Sequence, residues 1–295
     1  MKFLVLGAAA GGGLPQWNCG CPNCIDARAG KIPSAGQSSL AVSLDGKSWS
    51  VLNASPDIRQ QMQVNTALHP RDLRDTPLKS ILLTNGDIDH IAGLLSLREQ
   101  TPFTLFATHE IQAVLTENRI FDAVSRDKVD RLTITLGEEF DLQPGLEATV
   151  FPVPGKVPLF MEGDTVQTDL VGEQTVGVRL SDGGKVAYYI PGCAEVTPEL
   201  LTRIGDADQL FFDGTLWDDH EMIRAGTGVK TGRRMGHISI SGPDGSMAKM
   251  DALKADKCYI HINNTNPVWQ PGGPERAQVL SAGWQIAHDG LEIEL

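Results

Sequence analysis

The sequence has no apolar run of the roughly 18 residues that a membrane-crossing helix needs. It also lacks an excess of basic charge: 25 Lys and Arg face 37 Asp and Glu, for a net charge of −12. That balance favours solubility and disfavours broad binding to nucleic acid or anionic membrane, while the missing apolar run argues against membrane insertion. Internal repeats, low-complexity tracts and a dividing linker are missing as well. Residues 1–295 therefore read as one large unit with 41% apolar residues, enough for a sizeable core. Nor is there an even set of cysteines. Five occur, and an odd count argues against a secreted disulfide framework. Three fall in Cys19-Gly-Cys21-Pro-Asn-Cys24, too close together to suit the geometry of disulfides with one another. A reduced, cytoplasmic protein is expected. The start, Met1-Lys2 followed by Phe3–Ala10, has one charge and small residues like a secretory leader. Its apolar stretch is at the short end for one, and the preferred reading is a buried first strand ending at Gly11-Gly12-Gly13.

What is present alternates strands and helices. Lys2–Leu6 reads as a strand. Ser39–Leu44 and Ser48–Leu52 read as a hairpin across Asp45-Gly46, a favoured turn pair. Leu78–Leu83, Phe103–Ala107, Glu147–Val153, Val176–Leu180, Lys185–Ile190, Gln209–Phe212 and Cys258–Ile262 read as further strands. Asp57–Val64, Ala92–Glu99, His109–Thr116, Pro198–Ile204 and Asp244–Lys254 read as helices, the last with Ser241 as a candidate N-cap. Strands followed by helices in each half suggest two sheets with helices outside.

Polar residues recur where apolar strands end. Ile81-Leu82-Leu83 runs into Thr84-Asn85-Gly86-Asp87-Ile88-Asp89-His90, Leu210-Phe211-Phe212 into Asp213, and Cys258-Tyr259-Ile260 into His261. Strand ends feeding loops are where α/β proteins gather their chemistry. Two imidazoles with two carboxylates suit a hard to borderline divalent metal.

Thr84–His90 resembles the metallo-β-lactamase signature His-x-His-x-Asp-His, with Asn85 and Asp87 in place of the first two histidines. Asp213 stands where that superfamily has its bridging aspartate and His261 where it has its final histidine. No histidine occurs across Val153–Pro158, where the middle one falls. Six blocks together resemble the pyrroloquinoline quinone (PQQ) biosynthesis B family: Gly7–Cys24, Ser55–Arg59, Thr84–His90, Phe212–Trp217, Met235–Ser241 and His261–Pro267. The substituted histidines are characteristic of that family. The resemblance implies an αββα sandwich, two mixed β-sheets flanked by helices, with the metal at the sheet edge. It implies one divalent active-site metal held by Asp89, His90, Asp213 and His261, with Asp87 assisting; Fe(II) is favoured over Mn or Zn.

Cys19, Cys21 and Cys24 supply three thiolates from one loop, and with the family likeness they predict a structural zinc. A related phosphodiesterase-like branch takes a histidine three positions after the final active-site histidine; here that position is Asn264, a poor zinc ligand, which leaves the fourth ligand open. Cys193 and Cys258 read as core residues. The glycine-rich stretch His220–His237 carries Arg224, Lys230, Arg233 and Arg234, and reads either as a solvated loop or as a lid whose Arg233 and Arg234 capture a carboxylated substrate. His237 is a candidate for proton transfer or for support of the metal ligands.

Three functions fit these residues. One is oxygenation, by a single iron, of the tyrosine-derived ring of a glutamate–tyrosine precursor. Another is hydrolysis through metal-bound hydroxide, against which the loss of a full second metal site argues. The third is a non-catalytic carrier that helps deliver PQQ or its precursor to the periplasm. The first is preferred. The ligand is then a small carboxylated precursor or PQQ itself, and the family likeness implies a homodimer with the cysteine loop at its contact.

Overall fold

The structure is a computed structural model that describes residues 1–163 and 166–295. Among the described residues fourteen strands form two sheets. They are β1 (Lys2–Gly7), β2 (Ser39–Ser43), β3 (Trp49–Leu52), β4 (Leu78–Leu82), β5 (Phe103–Ala107), β6 (Val129–Thr133) and β7 (Glu139–Gln143). After these come β8 (Leu146–Pro152), β9 (Val176–Ser181), β10 (Val186–Ile190), β11 (Gln209–Asp213), β12 (Asp256–Ile260), β13 (Trp284–Ile286) and β14 (Glu292–Glu294). One sheet has the order β14-β1-β2-β3-β4-β5-β6, the other β13-β12-β11-β10-β9-β8-β7. Both are mixed. The first is antiparallel from β14 to β3 and parallel from β3 to β6. The second is parallel from β13 to β10 and antiparallel from β10 to β7.

The sheets face one another through a core that includes Phe3, Val5, Leu40 and Leu82 from the first and Val150, Val178, Tyr189 and Phe211 from the second. Across that layer the rings of Phe3 and Phe211 lie 5.2 Å apart. The opposite face of the first sheet, with Leu4, Ala41, Val51, Ile81 and Leu105, packs against Ile58, Ile91, Ile111 and Leu115 from flanking helices. Central strands such as β2, β3 and β11 are buried at every position, because one side of the sheet meets the other sheet and the opposite side meets helices. This arrangement is the expected αββα sandwich of the metallo-β-lactamase fold.

The expected hairpin forms as β2 and β3, and Asp45 accepts from the backbone N–H groups of Lys47 and Ser48 across the turn. Two expected helices are shorter than their sequences suggest. Ala92–Glu99 gives only a tight turn over Ala92–Ser96. Gly93 presses on the strand end there, so that a side chain would strike the Ser55 carbonyl oxygen. Asp244–Lys254 gives helix only over Ser246–Lys249, capped by Gly245. Ser241 does not cap it; its hydroxyl donates to the Trp217 carbonyl instead. Helices Pro22–Arg28 and Pro274–Ser281 and strands β6, β7, β13 and β14 were not anticipated. Among the described residues no helix is long and apolar enough to cross a membrane.

Candidate metal centre

The ends of β4, β11 and β12 converge at one edge of the sandwich. The loop after β4 brings Asp89 and His90, the last residue of β11 is Asp213, and His261 follows β12 directly. His261 has a positive φ of 59°, a backbone region that costs energy for a side chain this large. The twist aims its ring between Asp89 and Thr215. Its Nε2 lies 3.1 Å from the Asp89 carboxylate and its Nδ1 2.8 Å from the Thr215 hydroxyl.

Asp89, His90 and His261 place one ligand atom each within 4.8 Å of one another, and so do Asp213, His237 and His261. His90 is buried and its Nδ1 bonds to the Asn85 side-chain oxygen at 2.7 Å. Burial pushes its pKa down to about 4, so the ring is neutral and the Asn85 bond fixes the Nδ1–H tautomer. The other ring nitrogen, Nε2, is buried and has no hydrogen-bond partner among the described residues. An orphaned imidazole lone pair beside a carboxylate is what a cation would satisfy. Burial opposes the charge on Asp89, yet the imidazoles of His90 and His261 hold its pKa well below the usual carboxylate range. These residues fit a divalent metal.

Asp213 is fully buried and completely engaged. Oδ2 accepts from the Cys193 backbone N–H and meets His237 Nδ1 at 2.7 Å, while Oδ1 accepts from Thr215 through its backbone and its hydroxyl. Burial resists ionisation of Asp213, but the neighbouring imidazoles and these donors outweigh it and lower its pKa. The His237 ring stacks on His261 with centroids 5.3 Å apart.

A second cluster joins Cys19, Cys21 and Cys24. The side-chain nitrogen of Asn264 lies 3.2, 3.5 and 3.4 Å from the three sulfurs. The amide thus fills the fourth corner of the thiol group, and a half-turn of it would present oxygen instead. Asn23 clamps the same loop, donating to the carbonyls of Asn264 and Asn266. Residues 261–266 therefore tie the thiol cluster to His261.

A beta-lactamase superfamily domain model matches residues 48–262. Coenzyme PQQ synthesis protein B of Ruegeria pomeroyi is 70% identical over the full length of both chains. The chain belongs to the coenzyme PQQ synthesis protein B family. The Rhizobium meliloti member is 54% identical over 100% of this chain and 98% of its own. The crystal structure of Zn(2+)-bound PqqB from Methylobacterium extorquens superposes with a TM-score of 0.98 at 52% identity over both full chains. A diphosphatase of the PhnP family shares the fold, with a TM-score of 0.69 at 21% identity.

Within this PQQ synthesis protein, the four residues expected at the metal, Asp89, His90, Asp213 and His261, all lie at one sheet edge. His237, expected to support them, is brought into ligand range of Asp213 and His261. Asp87 stands outside both ligand groups and accepts from the Leu159 N–H. Burial and the neighbouring Asp89 raise its pKa. Cys193 and Cys258 are buried core residues, and burial pushes the Cys258 thiol up to about 12.

Arg233 is exposed on the rim of a cleft of about 790 Å³ that Ser239, Asp219 and Lys249 also line. Arg234 is paired with Glu162. Among the described residues neither arginine hydrogen-bonds to a member of the metal cluster. The sequence reading missed Asn85 as the partner of His90, Thr215 as the partner of His261, and the pairing of Lys156 with Glu162 at 2.9 Å. Asn85 and Thr215 both lie inside the family blocks. Lys156 lies in the segment where the superfamily's middle histidine is missing.

Proposed function

We propose that this PQQ synthesis protein is an oxygen-dependent hydroxylase that uses one iron at Asp89, His90 and His261. The carrying observation is the buried, unpartnered Nε2 of His90 beside the Asp89 carboxylate and His261. Two histidines and one carboxylate make the ligand set of non-haem Fe(II) oxygenases, which keep positions open for other molecules. The substrate of this reading is a small carboxylated precursor built from glutamate and tyrosine.

Iron bound there would supply the redox chemistry with O₂ that zinc lacks. The balance is one ring C–H and O₂ in, one ring C–OH and one water out. Two protons and two electrons come from an external reductant such as a thiol or ascorbate. The chain's own residues orient and exchange protons. Asn85 and Thr215 fix the rings of His90 and His261 through their Nδ1 atoms, leaving both Nε2 atoms for the metal. His237, about one-fifth exposed and bonded to buried Asp213, is placed to take the proton of a ring hydroxyl and return it. Thr215 connects Asp213 to both imidazoles.

The test is anaerobic loading with Fe(II) or Zn(II), followed by exposure to labelled O₂, reductant and the glutamate–tyrosine precursor. Mass spectrometry should find label in the ring with iron and none with zinc. Equal turnover with zinc and without oxygen would instead make the protein a hydrolase. Tight product binding without turnover under any metal would make it a carrier. The active-site reading extends to assembly: exposed Trp17 and Ile25 flank the cysteine loop in sequence, and we place a homodimer contact there. Light scattering that gives a monomer mass would remove it.

A further inference from the structure

Outside the metal cluster, one carboxylate gathers three cations. Glu162 meets Lys156 Nζ at 2.9 Å, Arg234 at 3.2 Å and Lys230 Nζ at 3.6 Å. Its side chain is only 7% exposed. Burial works against its charge, but the ion pairs with Lys156 and Arg234 keep its pKa below the ordinary range. One nitrogen of Arg234, Nη1, is buried and has no hydrogen-bond partner among the described residues. Three cations around one anion leave an excess of positive charge, and a buried guanidinium donor left without an acceptor is costly. In a chain of net charge −12, such a local excess stands out as a trap for an anion.

The group borders the metal centre. The side-chain stem of Lys156 lies against Gly236, the neighbour of His237. Glu162 ends the turn Leu159–Met161, whose first N–H donates to Asp87. Leu159, Phe160 and Met161 on that turn are exposed, and so is Ile88 beside Asp89. Met161 and Glu162 line a cleft of about 390 Å³. An apolar rim backed by surplus cations fits a small molecule with an apolar body and a carboxylate.

We propose that Lys156, Lys230 and Arg234 form the carboxylate-binding site of the substrate, and that Glu162 holds it closed as an internal carboxylate which the incoming one displaces. Carboxylates bind such cations through charge-assisted bonds, and exchange of one for another leaves the charge balance of the trio unchanged. A site occupied by its own latch binds with an affinity reduced by the fraction of chains that are open. The inference rests on the substrate class of the proposed function but not on iron or oxygen.

The experiment is calorimetric titration of zinc-loaded protein with glutarate, without oxygen or reductant. Because hydroxylation is not measured, its failure and a failure here are read separately. Glu162→Gln should bind glutarate about tenfold more tightly than the native chain, as loss of a latch closed in most molecules requires. Adding Arg234→Ala to that variant should reverse the gain. Glu162→Asp keeps the charge but shortens the arm, and should show a smaller gain of the same sign should the glutamine variant not fold. Unchanged or weaker glutarate binding in whichever of these Glu162 variants folds would overturn the proposal and leave the four residues as a fixed tether between two loops.

Discussion

The side-chain oxygen of Asn85 takes the Nδ1–H of His90 at 2.7 Å, and thereby turns the free Nε2 lone pair toward Asp89. The residue that replaces a superfamily histidine has become the support of the one that remains. Asn85→Ala should weaken active-site metal by about 10–100-fold, the usual cost of losing such a partner. Competition titration with a chelator would measure it. Metal in the cysteine cluster should stay in place, and an unchanged active-site affinity would mean that the bond orients nothing.

The cysteine cluster makes a separate prediction. Cys21→Ser should release about one zinc per chain, since a closed site needs all its ligands. Asn264 touches all three sulfurs, so Asn264→Ala should bind zinc more weakly than the native chain while still holding some. Metal analysis after dialysis, with and without chelator, distinguishes the two. Native protein that carries no metal at these thiols would defeat both expectations.

Glu221 is buried, bonded to the Thr265 hydroxyl and the Trp217 N–H, and its pKa is pushed up by that burial from 4.5 to about 7. A carboxyl whose folded value is raised gives stability that is complete below pH 4.5 and is lost as the pH rises through 7. Glu221→Gln keeps an acceptor for Trp217 and removes the buried charge. Its stability should match the native chain near pH 4.5 and exceed it above pH 7 by about 1–3 kcal/mol. Denaturant unfolding at several pH values would show it; a difference independent of pH would refute the assignment.

Phe211 is wholly buried and meets Phe3 across the two sheets. Phe211→Ala should cost about 3–5 kcal/mol, through lost contacts and the cavity left behind. The loss is measurable as a lowered denaturant midpoint. His90→Ala lies in the helical turn Ile88–Ile91 outside this layer and should leave the midpoint of metal-free protein nearly where it was.

Much of the frame was legible in the residues. Apart from exposed Lys79, runs such as Leu78–Leu83 and Gln209–Phe212 are buried on both faces, so composition alone marks them as strands. Val129-Asp-Arg-Leu-Thr133 and Glu139-Phe-Asp-Leu-Gln143 carry charges because they form the outermost strands of the two sheets, and they lack that signal. The Ala92–Glu99 and Asp244–Lys254 patterns suggested longer helices. Gly93 sits against the carbonyl oxygen of Ser55, which only the folded chain supplies, and Gly245 against that of Ser241 in the tight turn just before it.

The site divides in the same way. The sequence by itself marked the candidate ligand residues: Asp89, His90, Asp213 and His261 each lie at or beyond the end of an apolar strand, and a strand's end is fixed by where its burial stops. It also determined the thiol loop, whose three cysteines are held close by the chain. Tertiary structure alone decided that His237 stacks on His261, that Asn264 closes the thiol group, and that Glu162 lies among Lys156, Lys230 and Arg234. Apart from Lys156, which lies close before Glu162 in the chain, those partners are separated by tens to hundreds of residues, and hydrogen bonds and ion pairs act only over a few ångströms. No spacing in the chain can announce such contacts, because they exist only once the two sheets and their loops have been brought together.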